Sequence, residues 1–373
     1  MLFSSIYGLT GVKDRLINSV KTNHVAHAQM FVGREGSANM AMALAFATYI
    51  NCENKQEEDA CGECGSCQKM ERFVHPDIHF VFPNISVPQA DKEKHRAASS
   101  KLWRTFLGSH AYGNLPDWTD ALQAENKQAI ISVDEAREIV KAVTLKAFEG
   151  EYKIVFVWLP EQMNTAAANS ILKILEEPPK KTLFLLVSND ADRNLTTIIS
   201  RCQSVKIPSF TDADILGSLT NRFEIEEELA KNVTQLADGN MNAAIKLSGE
   251  MSHGSHDFFR GWMRACFSRN ITDLVNMSDD FQKLPKQDQK TLFQYGINTL
   301  RELLMYHSGA TSLLRVPEKE MPFIEGFAKA VDIPKLEELT RLLNEAHFHL
   351  ERNASPKITF LNLSLTIAQF LKS

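Results

Sequence analysis

A short loop, residues 33–40, stands where a phosphate-binding loop of the pattern G-x-x-x-x-G-K-[ST] would stand. It follows the apolar run Ala28 to Val32 and opens a helix of small residues, Ala41 to Tyr49. That strand–loop–helix context is the one a phosphate loop requires. Gly33 and Gly36 are present, so the sequence predicts the backbone frame of a nucleotide site.

Three positions of this loop lack the functional groups that phosphate binding needs. Ala38 replaces the second glycine of the pattern, Asn39 replaces the lysine, and Met40 replaces the hydroxyl residue that holds magnesium. A neutral amide supplies no point charge to a polyphosphate, and a thioether is a poor ligand for a hard cation. No nucleotide is therefore expected to be bound productively here, and we look for a function exerted on a partner.

Four of the six cysteines form a compact cluster in the sequence. In a reducing compartment, four thiolates suit a closed tetrahedral zinc site of structural type. Disulfides, an iron–sulfur cluster and four unconnected thiols are the alternatives. Cys202 and Cys266 stand apart and are expected to be buried free thiols. The predicted metal ligands are Cys52, Cys61, Cys64 and Cys67.

Composition and charge limit the class of protein. A chain of 373 residues with 44% hydrophobic and 23% charged residues is typical of a soluble protein of two or three domains. A net charge of −5 argues against a broad DNA-binding face. No stretch is apolar enough to span a bilayer, and residues 1–5 do not resemble a secretory signal. We expect a cytoplasmic protein.

The first 208 residues alternate apolar runs with amphipathic segments, which predicts an α/β fold with a parallel sheet covered on both faces. The polar stretch from about 84 to 128 is predicted to be a surface insertion, and its four large aromatic residues indicate that it packs somewhere instead of extending freely into solvent. The apolar runs are Met30–Val32, Ile78–Phe82, Ile154–Trp158 and Thr182–Ser188, and the aromatic residues are Trp103, Phe106, Tyr112 and Trp118.

Two breaks in composition suggest domain boundaries. Residues 208–212 interrupt the alternation, and Thr211 or Asp212 can cap a new helix. Residues 249–255, rich in Gly, Ser and His, form a plausible linker. The expected domains are 1–208 with the zinc module and the insertion, a helical unit 209–252, and a helical domain 253–373.

Seven segments together make the chain similar to the clamp-loader branch of the AAA+ family. The resemblance implies a RecA-like parallel-sheet domain, a small helical lid and an all-α C-terminal collar. It also implies that the cysteine module is a zinc site. The segments are Ile6–Leu9, His27–Gly33, Ile131–Arg137, Lys153–Val157, Ala167–Pro179, Ser200–Cys202 and Glu351–Lys357.

Two further sites of active family members have lost their functional groups in this chain. Where the resemblance places acidic residues that hold magnesium, the sequence reads Trp158-Leu159-Pro160-Glu161. Glu161 lies about 10 Å of extended chain beyond the strand end, and we expect a solvated carboxylate there. Where active members carry a lid arginine, the chain has Asn242. With the altered loop, these losses indicate a catalytically inactive site.

Arg201 is retained in a Ser-Arg-Cys motif. In the family this arginine reaches the ATP of a neighbouring subunit, so the resemblance implies that Arg201 acts in trans on the transferring phosphoryl group. An arginine supplied in trans is worth on the order of 10³ to 10⁵ in rate, and its planar fork suits phosphate oxygens better than lysine does. The competing interpretation is an ion pair with a carboxylate at the domain edge.

Polar residues near two element ends allow a structural or a functional interpretation. Ser188 and Asn189 match the position where active members sense phosphate, but without nucleotide they are expected to cap their strand. A second set lies on a helix that family members turn towards a partner or DNA, while Pro178 ends that helix. A helix stop with solvated acids explains this set equally well: Ser170, Lys173, Glu176 and Glu177.

The last 120 residues or so carry apolar stripes that predict a helical core. By resemblance, other faces of the same helices join subunits into a ring. The stripes contain Leu292, Tyr295, Leu300, Leu303, Leu304, Leu336, Leu339, Leu342 and Leu343, then Ile358, Phe360, Leu361, Leu363, Leu365, Ile367, Phe370 and Leu371.

The expected function is that of a catalytically silent clamp-loader subunit in a hetero-oligomer. Its implied partners are the loader's ATPase and delta-type subunits, and through the complex the sliding clamp and primer–template DNA; no membrane is involved. One alternative is an active ATPase with an atypical phosphate loop. The other is a nucleic-acid-binding module in which the zinc knuckle contacts DNA, which the negative net charge disfavours.

Overall fold

The computed structural model describes residues 1–124, 127–144, 147–250, 255–310, 314, 316, 320–352 and 354–371. The described residues form two compact units, one of residues 1–215 and 239–242, the other of residues 216–238 and 243–373. The predicted division into three domains stays a prediction. Most of the predicted linker 249–255 and Asn353 of the C-terminal motif lie outside the described residues.

The first unit is built on a parallel sheet of five strands in the order β2-β3-β4-β1-β5. This parallel sheet, with its flanking helices, confirms the predicted α/β fold class. The four predicted runs all form strands, and a fifth strand was not predicted. The strands are β1 Ala28–Val32, β2 Ile78–Val81, β3 Lys153–Trp158, β4 Thr182–Ser188 and β5 Gln203–Lys206.

Burial along the strands explains why four of them are visible in the sequence. Every residue of β3 and β4 is buried, because parallel strands in the middle of a sheet are covered on both faces. Strand β5 lies at the sheet edge, and most of its residues are exposed. The sequence of β5 is therefore polar and contains no apolar run that would predict a strand.

Helices cover the sheet and connect its strands. Helix α2, which follows the altered loop, is buried at all twelve positions. This agrees with the prediction of a helix of small residues there. The helices of this part are α1 Thr10–Lys21, α2 Asn39–Ile50, α3 Gly65–Glu71, α4 Lys92–Ser109, α5 Leu115–Ala121, α6 Val133–Thr144, α7 Thr165–Glu176 and α8 Thr196–Ile199.

The remainder of the described chain is helical. As predicted, Thr211 caps a new helix, since its Oγ1 accepts a hydrogen bond from the Asp214 N–H at 3.2 Å. The helices are α9 Asp212–Asn221, α10 Glu227–Ala237, α11 Met241–Glu250, α12 Ser255–Ser268, α13 Ile271–Lys283, α14 Lys286–His307, α15 Met321–Ala328, α16 Ile333–Glu351 and α17 Pro356–Phe370.

The second unit has an aromatic core. Phe360 packs against Trp262 and Phe281 with ring centroids 4.5 Å apart in each pair. Most positions of the predicted stripes are buried, whereas Leu304, Ile358 and Leu365 are exposed, so for these three the prediction of a core position was wrong. They lie on the outer faces of helices whose inner faces form the core.

No helix in the described part of the chain combines the length and the hydropathy needed to cross a membrane.

Candidate functional site

The altered loop between β1 and α2 is held in place by hydrogen bonds to other residues of the first unit. The Nδ2 of Asn39 donates to the Ser188 carbonyl at 3.1 Å and to the Asn189 Oδ1 at 2.8 Å. Asn39 is only 4% exposed, although a phosphate-binding residue must face its ligand. The amide at the lysine position therefore joins the loop to the end of β4. Ser188 and Asn189 both accept hydrogen bonds at this strand end, and their assignment as strand caps stays a prediction.

A second segment of the same unit covers the loop from outside. Gly36 has φ +77°, a left-handed conformation that favours glycine. A Cβ there would lie 1.7 Å from Oδ1 of Asn240, so that side chain sits directly against the loop backbone. The Gly36 carbonyl accepts a hydrogen bond from the Met241 N–H at 2.9 Å. Residues 240 and 241 therefore pack directly against the loop at Gly36.

Trp158 ends strand β3 and lies inside an aromatic cluster. Its ring centroid is 4.9 Å from Trp103 and 5.8 Å from Phe106. Trp103 also stacks on Phe82 at 4.5 Å and meets Trp118 edge-on at 5.0 Å. The cluster is buried, and an apolar environment of this kind neither coordinates magnesium nor activates water.

Three of the five rings in this cluster belong to the insertion, whose aromatic residues pack against the domain as predicted. Helix α5 begins with a capping box in which Asn114 and Asp117 exchange hydrogen bonds. Asn114 also donates to Glu35 in the loop at 2.7 Å, and Asp117 accepts from Asn242 at 2.8 Å. The insertion thus holds both the loop and the segment that covers it.

Glu161 does not occupy the solvated position predicted for it. Leu159 adopts a left-handed conformation with φ 55°, and the following turn, Pro160–Gln162, folds back on the sheet. The half-buried carboxylate accepts the Asn189 N–H at 3.0 Å. Burial raises the pKa of Glu161 above its usual 4.5, because desolvation disfavours the charged form. The prediction of a solvated carboxylate was wrong, because the turn after Leu159 brings Glu161 back against the end of β4.

The four clustered cysteines converge on one centre. Their sulfurs all lie within 4.8 Å of one another. The Cys52 and Cys61 sulfurs are 3.6 Å apart, and those of Cys61 and Cys67 are 3.9 Å apart. Zinc with Zn–S bonds of about 2.3 Å in a tetrahedron requires sulfur–sulfur distances of about 3.8 Å. All four are free thiols, so the alternative of disulfides does not describe this arrangement.

Backbone donors prepare this cluster for an ion. The N–H groups of Cys61, Cys64 and Cys67 each donate to the sulfur of the preceding cysteine at 3.3 to 3.4 Å. The N–H groups of Glu63 and Cys64 lower the pKa of Cys61 to about 7, whereas burial raises the pKa of Cys67. The donor set fits a structural metal ion such as zinc, which would tie α3 to the end of α2.

The two remaining cysteines have no neighbouring metal ligands among the described residues. Burial raises the pKa of Cys202 and of Cys266 to about 12, so both are protonated and unreactive at neutral pH. Cys266 is fully buried and Cys202 half-buried.

Arg201 lies beyond α8 and contacts the end of α7. Its Nε and Nη2 donate to one oxygen of Glu176, at 3.2 and 3.0 Å, and its Nη1 donates to the Thr197 carbonyl at 3.0 Å. The Arg201 side chain is 30% exposed and that of Glu176 60%. The ion pair that competed with the trans interpretation is therefore present, and it leaves part of the guanidinium at the surface. Sequence reasoning did not identify Glu176 as the partner of Arg201.

Comparison with known proteins gives the family. A family model described as DNA polymerase III, delta subunit, matches residues 9–211. The delta-prime subunit of DNA polymerase III from Yersinia pestis is 25% identical over 341 residues, which cover 90% of this chain and 86% of that protein. The Pseudomonas aeruginosa delta-prime subunit is 30% identical over 226 residues, covering 60% of this chain and 56% of the relative.

A third relative carries another subunit name. DNA polymerase III subunit tau of Bacillus subtilis is 22% identical over 382 aligned positions, covering 96% of this chain and 60% of that protein. The chain thus spans less than two thirds of the length of the Bacillus tau and Pseudomonas relatives. Since the family model covers more than half of the 373 residues, the chain belongs to the DNA polymerase III delta-subunit family and is of the delta-prime type.

Proposed function

We propose that this chain is a catalytically silent subunit of a DNA polymerase III clamp loader and that it supplies Arg201 to ATP bound by a neighbouring subunit. Its membership in the delta-subunit family supports the place in the loader. The partners are then the loader's ATPase and delta-type subunits, with the sliding clamp and primer–template DNA engaged through the complex.

The main support for a lack of ATPase activity is the inward-facing amide of Asn39. A working phosphate loop presents a lysine to the β- and γ-phosphates. Here the side chain at that position satisfies the Ser188 carbonyl and Asn189 instead. Breaking these buried bonds to admit a ligand would cost about 1–3 kcal/mol for each group left unsatisfied.

The other parts of a nucleotide site have been replaced as well. Trp158 stands in an aromatic cluster where a metal-binding acid is needed, and Asn242 binds Asp117 where a phosphate-binding arginine is needed. Glu161 is the acid that follows Trp158 most closely in sequence, and its carboxylate accepts the Asn189 N–H at 3.0 Å. The rival function, an ATPase with an atypical loop, would have to take its metal ligand from outside the pattern of active members.

The role in trans rests on the chemistry and the exposure of Arg201. Its guanidinium is always charged and can grip two phosphate oxygens. It is partly exposed next to α8, whereas the altered loop of its own chain is closed. A partly exposed arginine on a chain whose own loop lacks the phosphate-binding groups is suited to a neighbour's ATP.

The zinc module and the helical unit are assigned supporting roles. A closed four-sulfur site keeps no open position for chemistry, so its metal stabilises the fold. The exposed apolar side chains Leu304, Ile358 and Leu365 are available for contacts with other subunits, in agreement with a hetero-oligomer.

Equilibrium binding of a fluorescent ATP analogue to the purified chain tests the proposed absence of ATP binding and hydrolysis. We expect no saturable binding at micromolar concentrations and no turnover. Micromolar binding with hydrolysis would instead establish the rival function. Co-purification of the tagged chain with loader ATPase subunits tests the assembly separately.

A further inference from the structure

The contact between Arg201 and Glu176 uses one edge of the guanidinium. Nε and Nη2 both donate to the same oxygen, Oε2 of Glu176, while Nη1 donates to the carbonyl of Thr197. An arginine side chain has five N–H donors. Three are engaged, and among the described residues no acceptor meets the other two, one on each Nη nitrogen.

These hydrogen bonds orient the Arg201 side chain and leave two of its N–H donors available. The Thr197 carbonyl belongs to α8, and Glu176 is the last residue of α7, so two helices hold the guanidinium from two sides. A long arginine side chain otherwise samples many rotamers, and its ordering opposes binding by up to about 2 kcal/mol. A preorganised donor avoids that loss when its ligand arrives.

We propose that Glu176 is a positioning residue for Arg201, orienting the guanidinium so that its two remaining N–H donors face the phosphate of a neighbouring subunit. This inference rests on the proposed role of Arg201 in trans. Glu176 does not touch the nucleotide in this proposal. It acts by holding the edge formed by Nε and Nη2, which leaves the second N–H of each Nη nitrogen for phosphate oxygens.

A competing role for the same pair is a brake in which Glu176 withholds Arg201 from the phosphate. The geometry favours positioning, because Glu176 accepts from the edge formed by Nε and Nη2 and leaves one N–H on each Nη nitrogen without an acceptor among the described residues. The two roles predict opposite effects of removing the carboxylate. Positioning predicts a slower reaction, and a brake predicts a faster one.

The experiment compares variants in the clamp loader assembled with its ATPase subunits, with DNA-stimulated ATP hydrolysis as the readout. Glu176→Ala should lower kcat roughly 10-fold with little change in KM for ATP. Glu176→Gln, which retains an acceptor oxygen, should lose less. Adding Glu176→Ala to Arg201→Ala should produce no further loss, because the positioned group is then absent.

The matched control is Glu138→Ala. Glu138 forms an arginine pair between two helices of the same unit, with Arg96 at 3.0 Å, and we expect its variant to hydrolyse ATP at the wild-type rate. Thermal melting of each variant verifies folding. An unchanged or increased rate in Glu176→Ala, or an equal further loss in the Arg201→Ala background, would overturn the positioning role.

Failure of this inference is distinguishable from failure of the proposed function. If Arg201→Ala slows hydrolysis and Glu176→Ala does not, Arg201 acts in trans without positioning by Glu176. If Arg201→Ala itself leaves the rate unchanged, the role in trans fails and the positioning role fails with it.

Discussion

The indole rings of Trp103 and Trp158 pack with their centroids 4.9 Å apart, joining helix α4 of the insertion to the end of strand β3. The resemblance to active AAA+ members implies metal-binding acids at the position of Trp158. The aromatic residues of the insertion thus pack at the carboxyl end of β3, an interior strand of the sheet. If the proposed silence holds, the aromatic cluster stands in place of the metal-binding acids.

The aromatic cluster should contribute strongly to stability. Trp103→Ala removes a fully buried indole and should lower the free energy of unfolding by about 3–5 kcal/mol, measured by chemical denaturation of the purified chain. Phe148→Ala is the control, since Phe148 is 84% exposed, and we expect a change within about 0.5 kcal/mol. Equal effects of the two substitutions would mean that the cluster is not packed as described.

Asn39 should behave as a structural residue. Asn39→Ala leaves the Ser188 carbonyl and Asn189 without their donor, so we expect a loss of about 1–3 kcal/mol in unfolding free energy. The companion variant Asn39→Lys with Met40→Thr restores two positions of the phosphate-loop pattern. It should still not hydrolyse ATP, because Trp158 supplies no metal ligand. Turnover by this restored chain would contradict our view of the site.

The cysteine cluster should hold one zinc ion per chain. Cys64→Ser should abolish stoichiometric zinc in elemental analysis and lower the melting temperature by about 5 °C or more, because a bound metal stabilises the folded state. Cys202→Ser changes a cysteine outside the cluster and should keep its zinc. Iron in place of zinc, or equal metal content in both variants, would argue against the assignment.

Glu161 should make stability depend on pH. Since burial raises its folded-state pKa above 4.5, the folded state keeps its proton longer than the unfolded state does. Wild-type stability therefore falls, through this group, as pH rises from about 4.5 through the folded pKa. Glu161→Gln should gain stability relative to wild type across that window, and the difference should be constant below it.

Urea denaturation at several pH values measures this difference. The control is Glu177→Gln, which removes a carboxylate exposed near the end of α7 and does not affect the buried turn. A pH-independent difference between wild type and Glu161→Gln would show that the Glu161 carboxyl is hydrated in the folded protein.

Hydrophobic periodicity and apolar runs predicted much of the fold, but they did not predict the hydrogen bonds that hold the altered loop. Strands β1 to β4 were predictable because buried parallel strands are continuously apolar, whereas β5 is polar at the sheet edge. The convergence of the cysteines was predictable from their spacing. The bonds of Asn39 to Ser188 and Asn189 join residues 149 and 150 positions apart, and no local pattern encodes such contacts.

The reversal at Leu159 had no sequence signal either. A left-handed leucine is uncommon, so the chain after β3 was expected to extend and carry Glu161 into solvent. The pairing of Arg201 with Glu176 depends on how α7 and α8 pack, since 25 residues separate the two. In each case tertiary packing decides where a side chain points.

The most direct test of the central claim is the DNA-stimulated ATPase rate of a clamp loader assembled with Arg201→Ala. We predict normal folding and assembly of the variant, with hydrolysis reduced by on the order of 10³-fold at the site that Arg201 serves. Arg201→Lys should also be slow, because lysine lacks the planar fork. A complex that assembles fully and hydrolyses ATP at the wild-type rate would contradict the account.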